Sequence, residues 1–218
     1  SGRLSYNHFT LQGYRLLKRS RRDINSKWGQ YVAMDLYNTA YGSDYHGTQF
    51  SLYGAAYFPG LAKHHSVWGY VAYQNSDYNR QLYYTDTTKS KVADNMSYVF
   101  RNQIPLPRGQ SLPRFTDMYS ASGNYTLPIW YPDIALGPLM NLQRLRANVF
   151  YDFARGQTAG TNGTITVDYA SIGGELRLDF NVMRFLPQFN VGVRYSYGLQ
   201  PSTTKTNLFE VFIGGFSF

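Results

Sequence analysis

The chain has 218 residues, enough for one sizeable domain, and carries 21 Tyr, 14 Phe and 3 Trp with no Cys and only 16% charged residues. That composition excludes a disordered chain and a disulfide scaffold, and twenty glycines without a Leu/Ala/Glu/Lys-rich background favour many strands and turns over a helix bundle. The 21 Lys+Arg against 13 Asp+Glu leave a formal charge of +8, whose sign points to a polyanion, nucleic acid or lipid phosphate, without choosing between them.

Taken in chain order, Leu4 to Leu17 is strand-like with ambiguous facing and ends in a basic turn, Lys18-Arg19-Ser20-Arg21-Arg22-Asp23-Ile24-Asn25. Gly29 to Ala40 and Thr48 to Phe58 alternate acceptably, and His64 to Tyr78 is again strand-like. Asn79 to Phe115 reads as a long connection. Met118 to Ile129 then sets Tyr119, Ala121, Gly123, Tyr125, Leu127 and Ile129 against Ser120, Ser122, Asn124 and Thr126. Arg144 to Ala154 sets Leu145, Ala147, Val149, Tyr151 and Phe153 against Arg144, Arg146, Asn148 and Asp152, with Phe150 the exception. Gly173 to Val182 places Glu175, Arg177, Asp179 and Asn181 on one face. Gln188 to Gln200 alternates without exception, with Phe189, Val191, Val193, Tyr195, Tyr197 and Leu199 opposed to Asn190, Arg194 and Ser196. Asn207 to Phe218 closes the chain, apolar on both faces. Strict period two is the mark of a β-strand, so nine strands are predicted and the fold class is all-β.

Most of these strands exceed the globular mode of roughly 5 to 6 residues and match the ~9 to 11 tilted residues that cross a bilayer. Their polar faces carry Gly, Ser, Asn, Gln, Thr and Arg but few Lys, as a crowded polar lumen does, and aromatics near strand ends suit interfacial girdles. The prediction is a transmembrane antiparallel β-barrel of the outer membrane over residues 1–218, in contact with lipid bilayer and lipopolysaccharide. A soluble barrel or sandwich is the rival. No apolar run of about 18 residues offers a membrane helix, and Ser1-Gly2-Arg3 does not open a signal peptide, so a mature form or a fragment is expected.

With the C-terminus placed in the periplasm, Tyr41 to His46, Asn79 to Phe115, Gly156 to Thr164 and Pro201 to Thr206 become extracellular connections. Nine strands then start the first one outside, which predicts either strands before Ser1 or a tenth strand at Met96 to Leu106. The first option is favoured, because an unpaired edge in hydrocarbon leaves amides unsatisfied.

Leu106-Pro107-Arg108-Gly109-Gln110, followed by Tyr119 to Ile129, then Val149-Phe150-Tyr151-Asp152-Phe153-Ala154-Arg155-Gly156, then Ile172 to Asp179 and the closing Gly214-Gly215-Phe216-Ser217-Phe218, stand in an order that resembles the bacterial surface antigen family. That family supplies the barrel of BamA-type outer-membrane assembly factors. The likeness covers roughly residues 100 to 218; Pro107 and Gln110 replace the motif's Val and aromatic, and Gly156 follows Asp152 by four residues instead of two. The resemblance implies the second part of a barrel of about sixteen strands. It also implies that the loop motif Pro107-Arg108-Gly109 folds back towards the lumen, with Arg108 pairing Asp152, and that Gly214, Gly215, Phe216 and Phe218 form the last-strand seam and targeting signal. Parity agrees for Asp152, which shares the polar face of Arg144, Arg146 and Asn148. The alternative leaves Arg108 in a solvated loop and Asp152 paired with Arg146 or Arg177.

Other chemistry is sparse. The basic turn Lys18, Arg19, Arg21 and Arg22 is read as solvated, or as a grip for phosphate or a periplasmic partner. Nucleic acid is not expected, since the aromatics follow strand period along the whole chain. His8, His46, His64 and His65 lie in no metal motif, and Ser43, Asp44 and His46 are too close in sequence to converge as a triad, so no enzyme, metal or cofactor is expected. The function expected is outer-membrane protein insertion or translocation, or a place in a larger envelope complex, with client barrels and other envelope subunits as partners. A structural barrel anchoring another domain, or a passive pore, is the alternative.

Overall fold

The computed structural model describes residues 3–17, 20, 22–43, 46–83, 93–98, 100–110, 114–137, 139–160, 163–182, 188–199 and 207–215. Twelve strands form among them and no helix: β1 Tyr6–Leu16, β2 Gly29–Thr39, β3 Thr48–Pro59, β4 Ser66–Ser76, β5 Tyr78–Tyr83, β6 Ala93–Tyr98, β7 Asp117–Trp130, β8 Ile134–Leu136, β9 Met140–Gly160, β10 Gly163–Val182, β11 Gln188–Gly198 and β12 Asn207–Gly215. One antiparallel sheet runs β1-β2-β3-β4-β7-β9-β10-β11-β12, with β8 paired beside β9. All nine alternating segments of the sequence lie on this path.

From β3 and β4 through β7, β9, β10 and β11, the polar face is the concave, buried one, whereas β1 is exposed along its length. On β7, Ser120, Ser122, Asn124 and Thr126 are buried while Tyr119 is exposed. On β11, Asn190 and Ser196 are buried while Tyr195 and Tyr197 are exposed, as is Leu199 just after the strand. Val32, Val71, Val149, Ile172, Val211 and Ile213 likewise point outward into the open. This inverts a globular β-protein, in which burial goes to the apolar side. The buried polar atoms are largely hydrogen-bonded to one another, as such burial demands: Thr126 to Asn148 at 2.9 Å, Asn148 to Asn124 at 3.0 Å and Ser76 to Gln49 at 3.0 Å.

Four boundaries depart from the sequence reading. Met96 to Leu106 is not a tenth strand of the sheet: β6 pairs only with β5, in a separate two-stranded sheet, and residues 100–106 form no strand. Gly156 to Thr164 is not a loop, because β9 and β10 continue through it to Gly160 and Gly163. Gly156 is held flat under the Phe115 ring, and Arg155 forks onto Asp168 directly opposite it at 2.6 and 2.8 Å, so the ladder has no reason to turn there. Between the predicted strands Met118 to Ile129 and Arg144 to Ala154, where no strand is expected, lies the short β8. Finally, His64 and His65 precede the fourth strand instead of opening it; His64 sits in a turn at φ 65°.

β1 and β12 have no partner on their outer sides among the described residues, so the sheet is open there. The path contains an odd number of antiparallel strands, so β1 and β12 run in the same direction. They cannot close on each other with an antiparallel ladder.

Candidate functional site

The segment from Phe100 to Gln110 leaves the β5–β6 hairpin and crosses the concave face from β2 to β11. Phe100 packs on Tyr37 of β2, ring centroids 5.2 Å apart. Gln49 of β3 donates to the Arg101 carbonyl at 2.8 Å, Gln74 of β4 accepts from the Gln103 amide at 2.7 Å, and Ser120 of β7 donates to the Pro105 carbonyl at 2.7 Å. Ile104 and Phe115 join Met118, Ala154, Tyr169 and Ala72 in the principal apolar cluster of the concave side. Polar stitching and a small apolar core thus both hold the segment.

At its tip, the Gln110 amide donates to the Pro107 carbonyl at 3.3 Å and Gly109 sits at φ 78°, the third position of a turn that requires positive φ. A Cβ on Gly109 would lie 2.5 Å from that of Ser196 on β11, so glycine is needed for space as well. Pro107 is fully buried. The turn aims Arg108 straight at the sheet.

Arg108 binds Asp152 as a fork, Nε to Oδ2 at 2.8 Å and Nη2 to Oδ1 at 2.7 Å, and the Arg108 amide adds a third bond to Oδ2 at 3.0 Å. Its Nη1 reaches Glu175 at 3.2 Å, and Nη2 also meets Asn124 at 2.8 Å and Ser122 at 3.0 Å. The guanidinium lies 3.6 Å from the centroid of the Phe150 ring. Asp152 is 1% exposed, so its charge depends on this partner. Phe150, a large apolar residue on the otherwise mostly polar face of β9, is therefore the platform for the arginine, and Gly173 opposite it on β10 leaves room for the ring. Neither Arg146 nor Arg177 takes Asp152: Arg146 binds Asp179 at 3.1 Å and Arg177 binds Glu175.

Sequence reasoning brought Arg108, Asp152, Pro107 and Gly109 to one site but missed Glu175, Ser122, Asn124 and Phe150. Parity placed the first three of those on the same face, and the exception at Phe150 was the available signal for the fourth. Gly214 lies at the β12 edge over Asn190, with Gly215 as the last strand residue. Phe216, Phe218, Lys18, Arg19 and Arg21 lie outside the described residues.

Arg22 is exposed, but the residues after it are not. Asp23 and Ile24 are buried, Asp23 Oδ1 is 2.7 Å from His64 Nδ1, and Arg144 donates to the Asp23 carbonyl at 3.0 Å. Tyr131 donates to the Arg22 carbonyl at 2.9 Å. Asp23 and Ile24 thus anchor the chain under the sheet at the end opposite the Arg108 loop, while Arg22, the described residue of the basic cluster, stays exposed. Ser43 hydrogen-bonds Arg3 and Ser5, and Asp44 lies outside the described residues. Compared with models of known protein families, with curated proteins and with solved structures, the chain matches none.

Proposed function

We propose that the chain forms all or part of an outer-membrane β-barrel of assembly-factor type, working without catalysis or cofactor in the insertion or translocation of other envelope proteins. The observation that carries this reading is the Arg108 loop pinned on Asp152 and Glu175 inside a sheet whose apolar side faces outward. An outward apolar band needs an apolar surround, and lipid of the outer membrane, lipopolysaccharide included, supplies one. The unpartnered edges at β1 and β12 offer backbone donors and acceptors to client strands by β-augmentation. Gly214 and Gly215 soften the β12 edge. Closure takes an odd number of further strands, and a barrel of about sixteen would need about seven beyond the nine on the path. The loop and the Asp23 turn occupy both ends of the concave face, which disfavours a passive pore; a barrel that only anchors another domain remains the second reading.

Reconstitution tests the proposal. Proteoliposomes holding the chain with its closing strands should accelerate the folding of an added outer-membrane barrel over empty liposomes. Steady conductance in planar bilayers without such acceleration would favour the pore, and neither activity would favour the anchor.

A further inference from the structure

Between the Arg108 loop and the Asp23 turn, the concave face holds a cavity of about 410 Å³ that shares Glu175 with the loop lock and is otherwise lined by residues that do not touch Arg108. Its floor is unusual in charge. Arg146 of β9 and Arg177 of β10 stand directly opposite each other, and Arg194 of β11 lies one residue row away, opposite Glu175. Like charges facing across a ladder are ordinarily destabilising. Two buried carboxylates temper them: Glu175 takes Arg177, Arg194 and Arg108, and Asp179 takes Arg144 and Arg146. With Asp152 on Arg108 and Glu210 on Arg194, five guanidiniums face four carboxylates, leaving one positive charge.

The donors are also in excess. A guanidinium has five N–H groups. Arg146 gives only its Nε–H to Asp179, at 3.1 Å, so neither of its Nη atoms has a partner among the described residues. Arg177 is engaged through Nε and Nη2, and Arg194 through Nε and Nη1. Phe212 backs both guanidiniums, 4.8 and 4.9 Å from its centroid, and keeps them in place. Asn190 lines the same cavity at 9% exposure, and its Oδ1 has no hydrogen-bond partner. Across from these groups stand the aromatic rings of Tyr57 and Trp68.

We infer that this cavity binds a phosphate monoester carried on a sugar. Arg146, Arg177 and Arg194 take the phosphoryl oxygens through their open N–H groups, which relieves the like-charge opposition. Asn190 takes a sugar hydroxyl, and Trp68 and Tyr57 flank the apolar side of the ring. The volume lies within the ~300–1,000 Å³ of small-molecule sites and exceeds what phosphate alone would fill. A soluble sugar phosphate and the phosphorylated headgroup of a glycolipid share this chemistry. The inference uses the concave face alone and stands apart from the membrane reading.

The test uses the full chain in detergent micelles, with glucose 1-phosphate, inorganic phosphate and glucose as probes, followed by calorimetry and tryptophan fluorescence. Glucose 1-phosphate should bind with a Kd below about 1 mM and shift the fluorescence, inorganic phosphate about tenfold more weakly, and glucose not measurably. Trp68→Phe should remove the fluorescence shift. Asn190→Ala should weaken glucose 1-phosphate and leave inorganic phosphate unchanged. Arg146→Gln and Arg177→Gln should each cost about tenfold or more. In the unsubstituted chain, glucose 1-phosphate should shield Arg146 and Arg177, but not the exposed Arg155, from phenylglyoxal, a readout independent of any variant's folding. Competition by a monophosphorylated glycolipid, and not by its dephosphorylated form, would assign the ligand to lipid; no competition would assign it to the soluble pool. Absence of saturable binding, or equal phenylglyoxal labelling with and without the ligand, would overturn the inference.

Discussion

Arg108 concentrates more interactions than any other side chain of the site: a fork on Asp152, a second carboxylate at Glu175, two neutral acceptors and an aromatic face. Lysine has the charge but neither the planar fork nor the stacking surface. Arg108→Ala leaves Asp152 and Glu175 with less compensation in a buried place, and removing one partner of such a pair costs about 3–5 kcal/mol. The expected outcome is release of the segment around residues 100–116 to protease, with Arg108→Lys intermediate and Asp152→Asn close to the alanine variant. Unchanged digestion in all three would show that the apolar packing of Ile104 and Phe115 suffices. Gly109→Ala is expected to act in the same direction, since it adds left-handed strain of about 1–2 kcal/mol to the crowding against Ser196.

Among the connecting elements, the loop adds apolar packing to its Arg108 anchor, whereas the Asp23 turn has the smaller apolar share. Phe115 is buried against Met118, Ala154 and Tyr169 and lies over Gly156. Phe115→Ala, a loss of about 3–5 kcal/mol in a well-packed site, should raise amide exchange across residues 100–116 while the β2–β3 ladder keeps its protection. The Asp23 turn depends on charge. Burial alone would push the Asp23 carboxyl up, but hydrogen bonds from His64 and Ser20, with the Lys27 charge, outweigh it and hold the carboxyl below its ordinary value of 3.8. A folded value below the unfolded one means that the group stabilises the turn fully above the unfolded pKa and loses that contribution as pH falls through the folded one. Exchange at the amides of Ser20 and Asp23 should therefore accelerate below about pH 4, relative to the strand amides, and Asp23→Asn should abolish that pH dependence.

Across the whole molecule, strand direction sets the possibilities. Because β1 and β12 run the same way, the sheet can be sealed with antiparallel ladders only by an odd number of additional strands. The chain alone should lack the heat-modifiable gel shift of a closed barrel and gain it when such strands are supplied. Cysteines at Leu11 and Val211, on the exposed sides of the two edge strands, should not crosslink within one molecule. A sharp shift by the isolated chain together with that crosslink would mean parallel closure and would remove the open edges on which the assembly reading depends.

The sequence by itself determined the nine strands of the path, and the two faces of those that alternate cleanly, such as Met118 to Ile129 and Gln188 to Gln200, because alternation is a property of neighbouring residues and needs no knowledge of what lies opposite. Parity also put Asp152 on the polar face, whereas its pairing with Arg108 was implied only by a family resemblance. Only the tertiary structure decided what the faces meet. The Arg144 contact with the Asp23 carbonyl spans 121 positions, and the Asp23 and His64 pair spans 41; neither leaves a local trace. Residues 96–106 have strand-like composition, yet β6 finds its partner in β5, and the rest of that stretch finds hydrogen bonds on the concave face. The sequence reading places Gly156 in a connection between strands; in the fold it is the flat spot that admits Phe115. Curvature of the sheet brings β3 and β4 within reach of β11 and β12, and that curvature arises from the accumulated twist and register of the whole path, which no single segment encodes.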